Sequence, residues 1–345
     1  MEADQVTTFA AFFIACSLIF STCSSADENK GRHLHARFYR YSCPQAEKLA
    51  NDVSRAAFDQ DPTLAAALIR LFFHDCFVNG CDASILLDST ISGEPVEKIS
   101  PANGKTLRGM KLIDEIKARI ESECPRIVSC ADILAFATRD ATVFSGIPYY
   151  IIPGGRRDGL SSRAADVFGN LPIPSMPVDE MVEIFTKKGM TADEMVVLIG
   201  AHSIGRAQCS FFEDRIYNYS GTESPDPTMD EAYGYYLSVM CPPPNSDTAE
   251  LAEDQGRRER LVNFDPSSPF KLDNAFYLRL LEGRTLLRSD QDMAEDPMTA
   301  EVVRRMAYEP RTWKKSFVRA MVRLSRVDVI TGNAGEIRNN CRVVN

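Results

Sequence analysis

The sequence predicts a mainly α protein with little β structure. Three observations carry that prediction: helix-capping signals recur along the chain, apolar residues between them follow helical spacing, and clear hairpin signals are few. Asp61-Pro62 opens a helix over TLAAALIRLFFHDCF, with Asp61 as N-cap and proline at the first helical position. Residues 108–121 have helical periodicity and stop before Pro125. Ser129 and Asp132 cap ADILAFATRDATVFSG, which ends at Gly146. Residues 178–188 stop at Gly189. Thr191 and Glu194 form a capping box, so MVVLIG continues a helix rather than forming a strand. Asp226-Pro227, residues 271–281 before Gly283, and Asp296-Pro297 open further helices. Residues 242–260 are proline-rich, then highly charged, and read as an exposed loop. No internal repeat is found.

At 345 residues the chain can bury a sizeable core, in one large domain or two. A composition of 44% hydrophobic and 25% charged residues is that of an ordinary globular protein. The formal charge of −9, without a dense Lys/Arg cluster, disfavours a nucleic-acid partner. No apolar run in the body of the chain is long enough to span a membrane. Residues 1–26 read as a signal peptide. FAAFFIACSLIF is a short apolar h-region, and Ser24 and Ala26 are small residues placed for cleavage, although the n-region holds Glu2 and Asp4 and no cation.

Of ten cysteines, Cys16 and Cys23 fall in that leader. The other eight form an even set, which in a secreted domain reads as four disulfides. Spacing alone does not choose the pairing, though the tight loop between Cys76 and Cys81 makes that pair attractive. No C-x-x-C exists to support zinc. Asn218-Tyr219-Ser220 is the one glycosylation sequon.

Ala201-His202-Ser203-Ile204-Gly205 has the outline of a hydrolase nucleophile elbow with its first glycine replaced. Such an elbow needs a histidine downstream. The four histidines are 33, 35, 74 and 202, so none follows, and the capping box removes the strand that should feed the elbow. Ser203 is therefore not a nucleophile. RLFFHDCFVNGCDAS offers different chemistry. Arg70 and His74 stand four apart on one helix and share a face, with Phe73 beside them. A base and a cation projecting together suit heterolysis of a small polar substrate. The competing reading is a pair facing solvent. Just beyond, Asp75, Asp82 and Ser84 side chains and the Val78 and Gly80 carbonyls offer hard oxygens suited to Ca²⁺. The competing reading there is an ordinary acidic turn.

RLFFHDCFVNGCDASILLD with GAHSIGRAQC resembles the secretory plant haem peroxidases, class III. The resemblance runs over residues 38–345 and includes FYRYSCPQAE, SCADILAFATRD, PGGRRDG, NLPIP, LDNAFY, LLRSDQ and GEIRNNCRVVN. It implies a two-lobed helical haem peroxidase fold over residues 27–345. Haem would lie between a distal half (about 35–172) and a proximal half (about 173–345).

The resemblance also assigns roles. His202 matches the axial ligand of haem iron, and Asp290 the carboxylate that accepts its Nδ1 proton. His74 matches the distal base, Arg70 the charge stabiliser, and Asn103 the residue that fixes the His74 tautomer. Phe73 matches an aromatic screening the distal face, and Phe264 the ring packed on the proximal side. Pro172 and Phe211 match donor-binding positions at the rim. A distal calcium site maps onto Asp75, Val78, Gly80, Asp82 and Ser84, with Glu97 through water. A proximal one maps onto Ser203, Asp265, Ser268, Lys271 and Asp273. The implied disulfides are Cys43–Cys124, Cys76–Cys81, Cys130–Cys341 and Cys209–Cys241. Asp132 and Arg156 match a buried ion pair, against the plainer reading of a surface pair. His33 and His35 match nothing. The sequence departs from the family at Ser203 and Ser268, where threonine is usual, at LDN for FDN, at Leu324-Ser325 for Met-Gly, and in a longer loop over residues 242–264.

The expected function is a secreted haem peroxidase carrying haem b and two Ca²⁺. It would use H₂O₂ to oxidise phenolic donors such as cell-wall and lignin precursors, one electron at a time, and would remove peroxide under stress. A monomer in the apoplast or vacuole, with neither nucleic-acid nor membrane partner, goes with it. One alternative is an extracellular haem-binding or structural protein without turnover. Another is the intracellular ascorbate-type relative, against which the leader and eight further cysteines argue.

Overall fold

The computed structural model describes residues 34–243, 256 and 258–345. The leader over 1–26 and most of the 242–260 loop lie outside the described residues. Twelve α-helices and one small sheet occur among the described residues. The helices are α1 Ala46–Gln60, α2 Thr63–Val78, α3 Met110–Glu121, α4 Cys130–Phe144, α5 Val178–Lys187, α6 Ala192–Ile199, α7 Glu213–Tyr217, α8 Glu231–Met240, α9 Ala275–Leu281, α10 Arg288–Asp292, α11 Ala300–Tyr308 and α12 Pro310–Leu324. The sheet pairs β1 Arg206–Gln208 antiparallel with β2 Leu261–Asn263. The mainly α expectation holds.

Local chemistry starts the well-predicted helices. Ser129 accepts from the Asp132 amide at 3.1 Å and caps α4. Thr191 and Glu194 make both bonds of the capping box on α6, so MVVLIG is helical. On α2 the N-cap is Pro62 rather than the expected Asp61, and the helix starts one residue later, at Thr63, from whose amide Asp61 Oδ1 accepts at 3.0 Å.

Four other predicted starts are corrected. Helix α3 begins at Met110 rather than 108, because Gly109 has φ 97°, a left-handed conformation outside any helix. Asp226-Pro227 opens no helix: Asp226 Oδ1 closes a turn on the Thr228 amide at 2.8 Å, and α8 starts only at Glu231, capped by Asp230. Residues 271–274 stay outside α9, since the Leu272 amide goes to Ser145 O at 2.7 Å and that of Asp273 to Ser203 Oγ at 3.3 Å. Asp296 turns onto the Met298 amide at 2.8 Å before α11 begins at Ala300.

Helices α1, α2, α3 and α4 pack on one another, and α6 packs against α5, α11 and α12. One apolar core runs through both groups, from Leu34 to Cys341. A smaller cluster gathers β1, β2, α7, α8 and the Leu286–Leu287 segment beside it, with Phe264 at its edge. The four disulfides Cys43–Cys124, Cys76–Cys81, Cys130–Cys341 and Cys209–Cys241 are formed. Asp132 and Arg156 form a buried pair at 2.8 Å with both side chains 0% exposed. The surface reading of that pair is thus overturned. Asp132 also accepts from Tyr39 Oη at 2.7 Å and the Gly155 amide at 2.6 Å, so the buried charge is fully met. His35 is exposed, and its backbone pairs with Gly154.

Candidate active site

Helix α2 buries Leu68, Leu71, Phe72 and Phe77, but leaves Arg70, Phe73 and His74 half-buried on one side. The i, i+4 spacing read from the sequence thus yields a shared opening. His74 Nδ1 lies 2.6 Å from Asn103 Oδ1. Asn103 Nδ2 donates to Glu97 O at 2.7 Å, which fixes the amide orientation. Its Oδ1 can then only accept, so Nδ1 of His74 carries the proton and Nε2 keeps its lone pair. Burial, helped by the charge of Arg70, pushes the His74 pKa down to about 3, while the bond to Asn103 opposes that shift.

Arg70 donates to Thr106 Oγ1 at 3.0 Å and to Ala102 O at 3.1 Å. It has no carboxylate partner among the described residues. Burial lowers its pKa to about 10, which leaves it cationic. Phe73 stacks on Phe77, with ring centres 4.2 Å apart, and meets Phe185 at 5.9 Å, so an aromatic cluster flanks the base.

The second histidine sits where α6 tightens into a 3₁₀ turn over Gly200–Ser203. His202 Nδ1 lies 3.0 and 3.1 Å from the two oxygens of Asp290, whose side chain is 2% exposed. Phe264 stacks on the imidazole at 4.4 Å, with the planes 3° apart. Two further residues hold this arrangement, and neither is marked by any motif or spacing. Arg215, fully buried, pairs with Asp226 at 2.8 Å and donates to the carbonyls of Thr285, Leu286 and Leu287, just before α10 and Asp290. Tyr277 Oη donates to Val196 O at 2.9 Å and lies 3.2 Å from Val197 O, at the C-terminal end of α6.

Each histidine therefore has its Nδ1 tied to an acceptor, while no hydrogen bond among the described residues engages its Nε2. One free nitrogen stands beside an uncompensated arginine, and the other is backed by a buried carboxylate. The first suits proton transfer, the second suits a metal. Two surface clefts lie elsewhere: one of about 430 Å³ by Phe38, Arg126 and Arg157, and one of about 360 Å³ by Asp179, Asp292 and Asp296. Neither is lined by either histidine.

No three His, Cys, Asp or Glu side chains stand in a metal-holding group among the described residues. The distal oxygen set relies on carbonyls and a hydroxyl besides its two aspartates. Its state suits a cation. Asp75, Asp82, Ser84 and Glu97 are buried, and Ser84 Oγ and Glu97 Oε2 have no hydrogen-bond partner. Burial and the neighbouring acids raise the Asp75 pKa; burial lifts Asp82 to about 6 and Glu97 to about 8. The Val78 carbonyl also accepts from Lys188 Nζ at 3.1 Å, and Gly80 O from the Asp82 amide at 2.8 Å. In the other set, Ser268 Oγ donates to Asp265 at 2.7 Å, Ser203 Oγ accepts from Asp273 N, and Lys271 Nζ lies 3.3 Å from Asp273. Only its donor chemistry points to calcium. Phe211 is 41% exposed and Pro172 half-buried. Asn218 is exposed, with Oδ1 accepting from the Glu223 amide.

The family model described as Peroxidase matches residues 50–309. Peroxidase 5 of Vitis vinifera is 46% identical over 345 residues, covering 100% of both chains. Peroxidase 57 of Arabidopsis thaliana is 46% identical over 312 residues, 90% of this chain and 93% of its own. Peroxidase 28 of the same plant is 43% identical over 312 residues, with the same coverage.

Proposed function

Because the chain belongs to the class III plant peroxidase family it is a haem peroxidase, and we propose that His202 holds the iron through Nε2 while Arg70, His74 and Asn103 serve peroxide cleavage. The observation that carries this assignment is the pair of histidines with bound Nδ1 and free Nε2, one beside Arg70 and one on Asp290. Bound haem b supplies the redox chemistry, reduction of H₂O₂ to water and one-electron oxidation of donors.

The side chains then divide the work. His74 Nε2 takes the proton from the near oxygen of peroxide and returns it to the departing oxygen. Arg70 stabilises the negative charge on that oxygen. Asn103 keeps Nδ1 protonated, so Nε2 is always the basic nitrogen. Asp290 draws the Nδ1 proton of His202 and makes its Nε2 a stronger donor. Phe264 holds the plane of that ring, and Phe73 narrows the approach on the other face.

The finer assignments belong to the same proposal. Donors are phenolic and meet the protein at Pro172 and Phe211. One Ca²⁺ is held by Asp75, Val78, Gly80, Asp82 and Ser84 with Glu97 behind, a second by Ser203, Asp265, Ser268, Lys271 and Asp273. The protein acts as a secreted monomer, glycosylated at Asn218, with a distal half over about 35–172 and a proximal half over about 173–345. No helix among the described residues is long and apolar enough to cross a membrane.

The test is spectroscopic and kinetic. The purified protein should show a Soret band, and His202→Ala should lose it or shift it. Arg70→Leu should keep haem yet react with H₂O₂ roughly 10²–10³ times more slowly, as when a preorganised charge stabiliser is lost. Unchanged peroxide turnover in Arg70→Leu would sink the assignment. A panel of phenols against ascorbate would test the donor class.

A further inference from the structure

We propose that Thr106 is a positioning residue for the peroxide step, its hydroxyl joining the Arg70 guanidinium to the Asn103 backbone so that one loop sets both the cation and the base. The inference rests on the assignment of Arg70 and His74 to peroxide cleavage.

Thr106 Oγ1 accepts from Arg70 Nη1 at 3.0 Å and donates to Asn103 O at 3.0 Å. Asn103 in turn fixes His74 at 2.6 Å. Ala102 O takes the other guanidinium nitrogen at 3.1 Å, so residues 102–106 hold the cation at two points. The loop is itself anchored: Asn103 N donates to Ser100 O at 3.0 Å, and Asn103 Nδ2 to Glu97 O at 2.7 Å. Glu97 N is fixed on Ser162 Oγ at 3.0 Å.

The kind of acceptor matters as much as the geometry. A carboxylate would hold Arg70 more tightly, but would cancel the charge that the departing oxygen needs. A hydroxyl and a carbonyl orient the guanidinium and leave its charge uncompensated. The long arginine side chain has many rotamers, and without these anchors it loses a fixed aim. Electrostatic stabilisation requires donors in place before charge develops. Thr106 acts only through Arg70 and Asn103, and nothing in the geometry calls for it to touch the substrate.

The experiment compares wild type with Thr106→Val, which keeps the shape and removes the hydroxyl, and Thr106→Ser, which restores it. The haem-loaded proteins are read out by the second-order rate with H₂O₂ and by the equilibrium affinity of the resting form for fluoride, a small anion that the distal cation should favour. Thr106→Val should lose about tenfold in both, the size of one hydrogen bond to a charged group. Thr106→Ser should return near to wild type, and the rate of donor oxidation should not move. A Thr106→Val protein that melts earlier but keeps wild-type fluoride affinity and peroxide rate would assign the hydroxyl to stability alone and overturn the inference. Arg70→Leu, measured in parallel, separates the two levels. If it too leaves both quantities unchanged, the assignment of Arg70 falls and the inference falls with it. If it weakens both while Thr106→Val does not, the inference alone falls.

Discussion

Asn103 decides which nitrogen of His74 can act. The 2.6 Å contact joins Nδ1 to an amide oxygen whose own nitrogen is committed to Glu97 O, so the proton sits on Nδ1 and Nε2 keeps its lone pair. In its proposed role as base His74 must be neutral, and burial with the Arg70 charge pushes its pKa down to about 3. The rate with H₂O₂ should therefore stay level through the acid range and fall only as the pH approaches about 3. Asn103→Asp puts a carboxylate on the same Nδ1–H. Negative charge favours the imidazolium, so the pKa rises and the acid limb of the rate profile should move up toward neutrality. Stopped-flow rates across pH give the answer, and superimposed profiles for the two proteins would refute the role given to Asn103.

Asp290 does the corresponding work for His202, from a buried position and with both oxygens near Nδ1. Asp290→Asn keeps a hydrogen-bond acceptor and removes the charge. An iron ligated by the less electron-rich imidazole is easier to reduce, so the ferric/ferrous midpoint potential should rise. Spectroelectrochemistry measures it directly. A potential equal to wild type, with haem fully bound, would mean that Asp290 only orients the ring.

Much of the helical frame is legible because helix caps are local. Ser129 and Thr191 bond amides three residues away, and the pattern shows in the sequence. Asp226-Pro227 looks the same and is not a helix start, since the Asp226 carboxylate is drawn to Arg215 and to a Thr228 turn, and Arg215 is recruited by distant packing. Helices α1 and α12 went unread, although Pro310 stands in the first turn of α12. In the site, Arg70 and His74 could be paired from their spacing alone, whereas Asn103 and Asp290 were found only through family resemblance. Thr106 carried no signal. Its partner is 36 residues away, and a lone threonine in a glycine-containing loop looks like any other.

The proposed distal calcium site predicts an unusual pH dependence for the metal-free protein. With burial raising Asp75, Asp82 to about 6 and Glu97 to about 8, the metal-free folded state holds protons that the unfolded chain releases near pH 4. Between roughly pH 4 and 8 the folded form thus binds more protons than the unfolded form, and by linkage its stability falls as pH rises. Melting temperatures in EDTA should drop across that window. In excess Ca²⁺ the ion takes the place of the protons, binds better as the acids ionise, and should remove or reverse the slope. Identical curves with and without calcium would argue against the distal site.

Gly200 tests how closely the turn that carries His202 is packed. Its backbone is ordinary right-handed helix, so alanine brings no conformational strain. Space is the obstacle: a Cβ there would lie 2.3 Å from Tyr277 Oη and 2.8 Å from Trp313 Nε1, and both side chains are fully buried. Tyr277 cannot swing aside without giving up Val196 O and Val197 O at the end of α6. Gly200→Ala should therefore cost about 1–3 kcal/mol, the usual range for overpacking, and disturb the haem spectrum because His202 is two residues on. The hydroxyl oxygen is the nearest of the clashing atoms, so Gly200→Ala with Tyr277→Phe should recover part of that loss, even though Tyr277→Phe alone is destabilising. Urea titration of the four proteins closes the cycle. Strictly additive losses would show that the hydroxyl is not what Gly200 makes room for.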